Sequence, residues 1–468
     1  MMRPSLRLGC ALAAILILAG CGTFQDISDT VGDWFSSSSK SKLKGERLPL
    51  NALDDALKPD PALQATPVLL PRPYRNTEWP EPGGYASNAM YHLEASGHLR
   101  ELWDADAGKG SDTDSRLSAS PVVGGGRIFA LDSEAHVYAF DAANGQEVWD
   151  KRLAPKNGTD MPTLWGLLGK ANTIDPVSGM GGGVAYDAGK IFATSGFGVL
   201  VAMDAATGKE LWRHTFGVPI INAPVVSGGR IFFSTDDNHF YALAENDGRI
   251  LWDQQGVAES AGILAATSAA VAGEVVIAPY TSGELYALRV QNGQPAWNDV
   301  LSHSGVVTAL SELDDIAARP VIDRDMVFAI SHSGVMAAIA LASGERAWTR
   351  NVGGTQTPWA AGDYVYVVTS DEQLLCLTRK EGRVRWVHQL PQYANEADKR
   401  RPINWSGPVL VSNKLIVVSS SGYAEAISPY TGRMMGRVEI PGGTNIAPIV
   451  ANDTIYIYTD DALLVALK

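Results

Sequence analysis

Residues 137–149 read VYAFDAANGQEVW, and residues 200–212 read LVAMDAATGKELW. Ala139 and Ala202, Asp141 and Asp204, Gly145 and Gly208, and Trp149 and Trp212 share one phase although the residues between them differ. An enzyme site is normally written once, so a phrase that recurs points first to architecture. Aligned on its glycine, the phrase stands at Gly145, Gly208, Gly248, Gly293, Gly344, Gly382 and Gly432. Four residues later come Trp149, Trp212, Trp252, Trp297, Trp348, Trp386 and, breaking the pattern, Gly436. Six residues before each glycine the side chain is small: Ala139, Ala202, Ala242, Ala287, Ala338, Cys376 and Ala426. Seventeen residues before it an aliphatic recurs, from Ile128 to Leu415, as a strand facing a core requires.

The units are short Val/Ile/Ala/Tyr-rich runs separated by Gly, Asp and Asn, which is the pattern of an all-β protein. An eighth unit starts at Pro448 with Ile455 and Ala466 in phase, but the chain ends at Lys468 before a glycine and a tryptophan can follow. The stretch LRELWDADAG near residue 103 supplies the missing Trp103 from the other end. A split final repeat is what a closed ring needs, because closure removes the exposed sheet edge at the seam. The expectation is an eight-bladed β-propeller of four-stranded antiparallel blades over 79–468, with the last blade completed by an N-terminal strand. An open solenoid would need caps instead of a split repeat. Within each blade the Asp/Asn/Gly cluster is the hairpin turn between third and fourth strands, and the tryptophan docks the next blade.

The start of the chain has a different texture. Arg3 and Arg7 precede the apolar run LGCALAAILILAG, which has the length of a secretory signal, not of a membrane span. It ends in LAGC at 18–21, which resembles a bacterial lipobox, and this implies a signal peptide over 1–20 and lipidation of Cys21. Gly22 after the cysteine implies the outer membrane by the same resemblance. Residues 21–78, with SSSSKSKLK and KPDPALQATPVLLPRP, read as a flexible tether. Cys10 leaves with the signal and Cys21 carries lipid, so Cys376 is left without a disulfide partner. A formal net charge of −13 argues against nucleic acid or anionic lipid headgroups as partners.

The repeat resembles the pyrroloquinoline-quinone-type propeller family. That family includes quinone-dependent dehydrogenases, whose resemblance implies adjacent cysteines over the cofactor and a Glu/Asn/Asp calcium site. The sequence has no Cys-Cys pair, the acids of the repeat turns have an architectural role, and the histidines are scattered. No cofactor and no catalytic residue are expected. Lipobox, tether and degenerate Gly-x-x-x-Trp repeats together resemble the BamB lipoproteins of the outer-membrane β-barrel assembly machinery. That resemblance implies a noncatalytic scaffold that binds the barrel subunit BamA, serves unfolded outer-membrane clients, and sits lipid-anchored on the periplasmic side. The readings beside it are a quinone-dependent dehydrogenase and a different periplasmic envelope scaffold.

From the proline phase to the tryptophan the repeat keeps one length, as in Pro121 to Trp149 and Pro320 to Trp348. The variation falls between a tryptophan and the next unit, and these junctions open on one face of a propeller. Two of them carry apolar residues outside the repeat core: Ile263 and Leu264 in ESAGILAATS (259–268), and Leu313 and Ile316 beside Asp314 and Asp315 in VVTALSELDDIAARP (306–320). In the resembling family the corresponding loops hold the barrel subunit, the first through Leu-x-Leu-Arg and the second through an Asp-rich run. The arginine is missing here. These six residues are the expected partner contacts, and Asp315 is expected to accept Arg without loss of melting temperature because it lies outside every repeat phase. The long insertion 150–183, with Trp165, Leu167 and Leu168, is expected to pack under its own loop, to cap the channel or to meet client chains.

Overall fold

The computed structural model describes residues 57–96, 100–113, 115–153, 181–257, 267–302 and 315–468. Among these, eight four-stranded antiparallel sheets form the blades of a propeller. Blades one to seven occupy 122–152, 182–215, 225–255, 270–300, 321–351, 359–389 and 405–439. Blade eight takes Ile449–Ala451, Thr454–Tyr458 and Leu463–Leu467 from the C-terminus and its outer strand, Glu101–Asp106, from the N-terminal side. A small hairpin, Tyr393–Asn395 with Arg400–Pro402, stands between blades six and seven.

The recurring phrase is the joint between blades. In seven blades the small residue of the third strand faces the tryptophan position of the fourth, as in Ala139 with Trp149, Cys376 with Trp386 and Ala426 with Gly436. The register shifts directly after that pair, so a bulge turns the strand into the glycine turn. Each indole then covers the turn glycine of the following blade. A Cβ on Gly382 would stand 2.6 Å from the Trp348 ring, and Gly382 has φ +64, so both space and backbone demand glycine. Six indole N–H groups donate to the next blade, from Trp149 to the Ala205 carbonyl at 3.1 Å to Trp386 and the Pro429 carbonyl at 3.0 Å. Burial of such a ring stabilises by roughly 3–5 kcal/mol, by the measure of large-to-small core substitutions.

The two irregular joints both border blade eight. Its outer strand comes from the N-terminal side, so no hairpin turn joins its third and fourth strands, and no turn glycine waits for an indole from blade seven. Gly436 is the result. On the other side Trp103 covers Gly145 of blade one, but the Ala142 carbonyl that its indole would meet by analogy accepts Tyr456 Oη instead, at 3.2 Å. Trp103 Nε1 is left buried without a partner.

Residues 57–96 pack on the propeller. Residues 76–93 cross one end of the central channel and bond to the first strand of blade after blade. Trp79 and Val123 exchange two backbone bonds of 2.8 Å, Tyr186 donates to the Pro80 carbonyl at 2.8 Å, and Ile322 donates to the Ser87 carbonyl at 2.9 Å. Val226 donates to Glu81 Oε1 at 3.0 Å, Asn76 Nδ2 donates to the Val450 carbonyl at 2.9 Å, and Leu93 donates to the Leu410 carbonyl at 3.1 Å. Innermost strands present unpaired backbone groups to the channel, and this cap satisfies them.

Residues 57–78, expected to belong to the tether, pack on the propeller instead. Asp60 accepts from Arg383 Nε at 2.8 Å and its N–H donates to the Val384 carbonyl, while Leu63 and Val68 are buried. The Pro-rich stretch has no helical or strand periodicity to announce this docking, and its only regular element is the 3-10 turn Pro61–Leu63. Residues 1–56 lie outside the described residues.

Candidate functional site

Chain direction alternates from strand to strand within a blade. The cap at the ends of the first strands therefore lies on the face opposite the junctions that lead from one blade to the next. The segments 154–180, 258–266 and 303–314 all belong to such junctions and lie outside the described residues. Cys21, Ile263, Leu264, Leu313 and Asp314 fall among them or in 1–56, as do Trp165, Leu167 and Leu168.

Asp315 and Ile316 are described, and their placement corrects the expectation of exposed contacts. Ile316 is 1% exposed and packs with Ile277, Leu285, Trp297 and Val335 in the core between blades four and five. Its N–H meets the Tyr280 carbonyl of blade four at 3.4 Å, while the Asp315 carbonyl accepts from His332 N–H of blade five at 2.9 Å. Asp315 is 3% exposed. The end of this loop is a wedge between two blades, and lying outside the repeat phase did not make it dispensable. The tryptophans 103, 149, 212, 252, 297, 348 and 386 all occupy blade joints.

The central channel leaves only a faint trace in the sequence. It encloses a cavity of about 880 Å³ that starts at Trp79, Gly83 and Asn88 of the cap and runs toward the junction face. Of the eight residues that stand immediately before the first-strand phase, five line it: Ser120 in blade one, Arg319 in blade five, then Thr357, Gly407 and Ala447; Gly183, Ala223 and Ser268 hold the same phase in blades two to four. Seven of the eight are small. The proline phase that set the repeat length could have revealed this ring, because the odd member stands directly before Pro320.

The walls are polar and their titrating groups are displaced by burial. Burial pushes the Glu372 carboxyl up to about 7, opposed by the Trp405 N–H that donates to it at 3.2 Å. Burial also raises Asp460, against two bonds from Asn445, and lowers His332, whose Nδ1 has no partner. Arg319 is pushed down to about 10 by burial alone. Among the described residues no group of three or more His, Cys, Asp or Glu side chains could hold a metal ion. Cys376 is a buried thiol in the joint of blade six. The arrangement offers a rigid ring, one face of long junctions and a capped polar channel, all suited to binding.

Comparison with known proteins follows the same lines. A family model described as outer membrane protein assembly factor BamB matches residues 159–388. Another, described as the β-propeller domain of glucose/ethanol/alcohol dehydrogenases, matches 85–218. Outer membrane protein assembly factor BamB of Moranella endobia is 25% identical over 361 residues, covering 76% of this chain and 87% of that protein. The protein of the same name from Yersinia pestis is 25% identical over 359 residues, covering 76% and 86%. The crystal structure of BamB from Moraxella catarrhalis superposes with a TM-score of 0.62 at 17% identity, over 79% of this chain and 99% of that one. A europium-containing methanol dehydrogenase gives 0.64 at 15% identity, over 82% and 90%, and at this identity the two structures speak to fold alone. With the repeat, the ring closure and the matches in agreement, the chain is similar to the BamB-type propellers built from pyrroloquinoline-quinone-type repeats.

Proposed function

We propose that the protein is a noncatalytic scaffold of the outer-membrane β-barrel assembly machinery. In this reading a lipid on Cys21 holds it at the periplasmic face of the outer membrane, where it binds the periplasmic part of the barrel subunit BamA and aids insertion of outer-membrane proteins. The observation that carries the reading is the similarity to BamB assembly factors along 76% of the chain. The face opposite the cap supports it, because junctions of unequal length on a rigid ring are where partner contacts are built. Ile263, Leu264, Leu313 and Asp314 are the proposed contacts, apolar anchors beside a carboxylate that fixes register. Asp315 and Ile316 hold the base of that loop. Unfolded outer-membrane proteins are the further partners of this reading.

Capture from detergent-solubilised membranes followed by mass spectrometry tests it. Recovery of a large outer-membrane barrel protein is expected, and its loss in a Leu313→Ala, Asp314→Arg variant of unchanged melting temperature would place the contact on this loop. Recovery of cell-wall enzymes in its place would move the reading to another envelope scaffold. The dehydrogenase reading draws on the match over 85–218. Against it stand the lack of adjacent cysteines in the sequence and the structural position of Cys376. Dye-coupled oxidation of glucose or ethanol in the presence of pyrroloquinoline quinone and calcium would establish that reading, and no turnover is expected.

A further inference from the structure

Arg319 is the one charged member of the ring around the channel, and its side chain crosses the channel. Its guanidinium donates to Ser120 Oγ at 3.1 Å, a residue of the same repeat phase in blade one, four blades away. Ser120 is 5% exposed. No ion pair among the described residues includes Arg319, and its Nε is buried without a partner. Among the described residues no neighbouring charge offsets the burial that displaces its pKa.

A buried cation without a counter-charge is costly, and a structural strut at this position needs no charge, since the other seven positions are filled by small neutral residues. A guanidinium offers planar, paired N–H donors that match carboxylate and phosphate oxygens. The cavity of about 880 Å³ lies in the range of small-molecule sites, and the cap crosses one end of it. Glu372 and Asp460 on the wall disfavour a polyanion. We propose that the channel binds a small solute, or a chain end, bearing an oxyanion of carboxylate or phosphate type, with Arg319 as its charge anchor. This inference does not rest on the assembly reading, because it concerns the channel and not the loops.

The test is titration calorimetry of the full chain with succinate and with glycerol phosphate, at ionic strength held constant with sodium chloride. Saturable binding of at least one is expected, weakened about tenfold or more by Arg319→Gln and unchanged by Arg401→Gln on the exposed hairpin. Succinate alone would identify a carboxylate ligand, and glycerol phosphate alone a phosphate. A parallel titration of the wild-type protein labelled with 15N-arginine follows the Arg319 Nε resonance, assigned with Arg319→Lys, and keeps the question open to refutation if Arg319→Gln does not fold. Absence of saturable heat together with an unmoved Nε resonance would overturn the proposal, as would equal binding by a folded Arg319→Gln protein. Partner capture from membranes is read separately, so the failure of one proposal leaves the other standing.

Discussion

Trp103 faces Ala466 across the sheet of blade eight, so the pairing found within a single hairpin elsewhere here joins the two ends of the propeller. Deleting residues 463–468 removes the partner of the Glu101–Asp106 strand and leaves two sheet edges unpaired. The expected outcome is a large fall in melting temperature with loss of a single cooperative transition, seen by calorimetry. An unchanged transition would mean that the ring does not depend on this seam.

The two kinds of indole predict different costs. Trp348→Phe strands the Arg379 carbonyl that now accepts a 2.8 Å bond, whereas Trp103→Phe removes an N–H that has no partner. Trp348→Phe should therefore destabilise more, by about 0.5–1.5 kcal/mol in denaturant unfolding. Equal losses would mean that the indole bonds contribute nothing beyond ring burial.

Gly382 and Gly436 stand in neighbouring blades with opposite tolerance. Gly382→Ala forces a Cβ against the Trp348 ring at positive φ and should cost about 2–4 kcal/mol, strain and overpacking combined. Gly436 has nothing within 4 Å of an added Cβ and no positive φ, so Gly436→Ala should stay within about 0.5 kcal/mol or stabilise slightly. Thermal unfolding of the two variants decides between a joint glycine and a vacant one.

Glu372 sets a pH dependence whose sign is unusual for a carboxylate. Its folded pKa is raised from about 4.5 to about 7, so the folded state binds the proton more tightly than the unfolded state. Its contribution is favourable below the unfolded value and is lost as pH rises through about 7. Glu372→Gln should therefore raise the melting temperature at pH 8 relative to the wild type, with a smaller difference near pH 5. A difference that grows on the acid side would contradict the burial of this carboxyl.

Asp315→Arg is expected to lower the melting temperature, because it places a guanidinium at a position 3% exposed between two blades. Loss of partner capture by that variant would follow from damage to the loop base. The informative substitutions are those at Leu313 and Asp314.

The ring was legible because its repeat restates one physical demand many times: a turn glycine at positive φ, an indole above it, a small residue opposite. The unit that starts at Pro448 without its glycine and tryptophan, and the early Trp103, foretold the split blade for the same reason. Features written once were harder to see. The cap at 76–93 bonds chiefly through its backbone, which leaves little side-chain pattern. Arg319 was hidden among the loop residues, although its phase is regular, and Ile316 looked like an exposed anchor because an apolar residue wedged between blades has the same local sequence as one facing a partner.

Both irregular joints border blade eight, and this has a consequence for how the chain is made. Synthesis delivers the Glu101–Asp106 strand early, while its mate at Leu463–Leu467 emerges last. Until then that strand is an unpaired edge, and blades that have already formed cannot close around the channel. Between the making of these two strands the ring can exist only as an open arc with a reactive margin, a state prone to pairing with other chains. The final residues act as a clasp, and truncation there should give aggregates during expression more readily than comparable damage inside any complete blade.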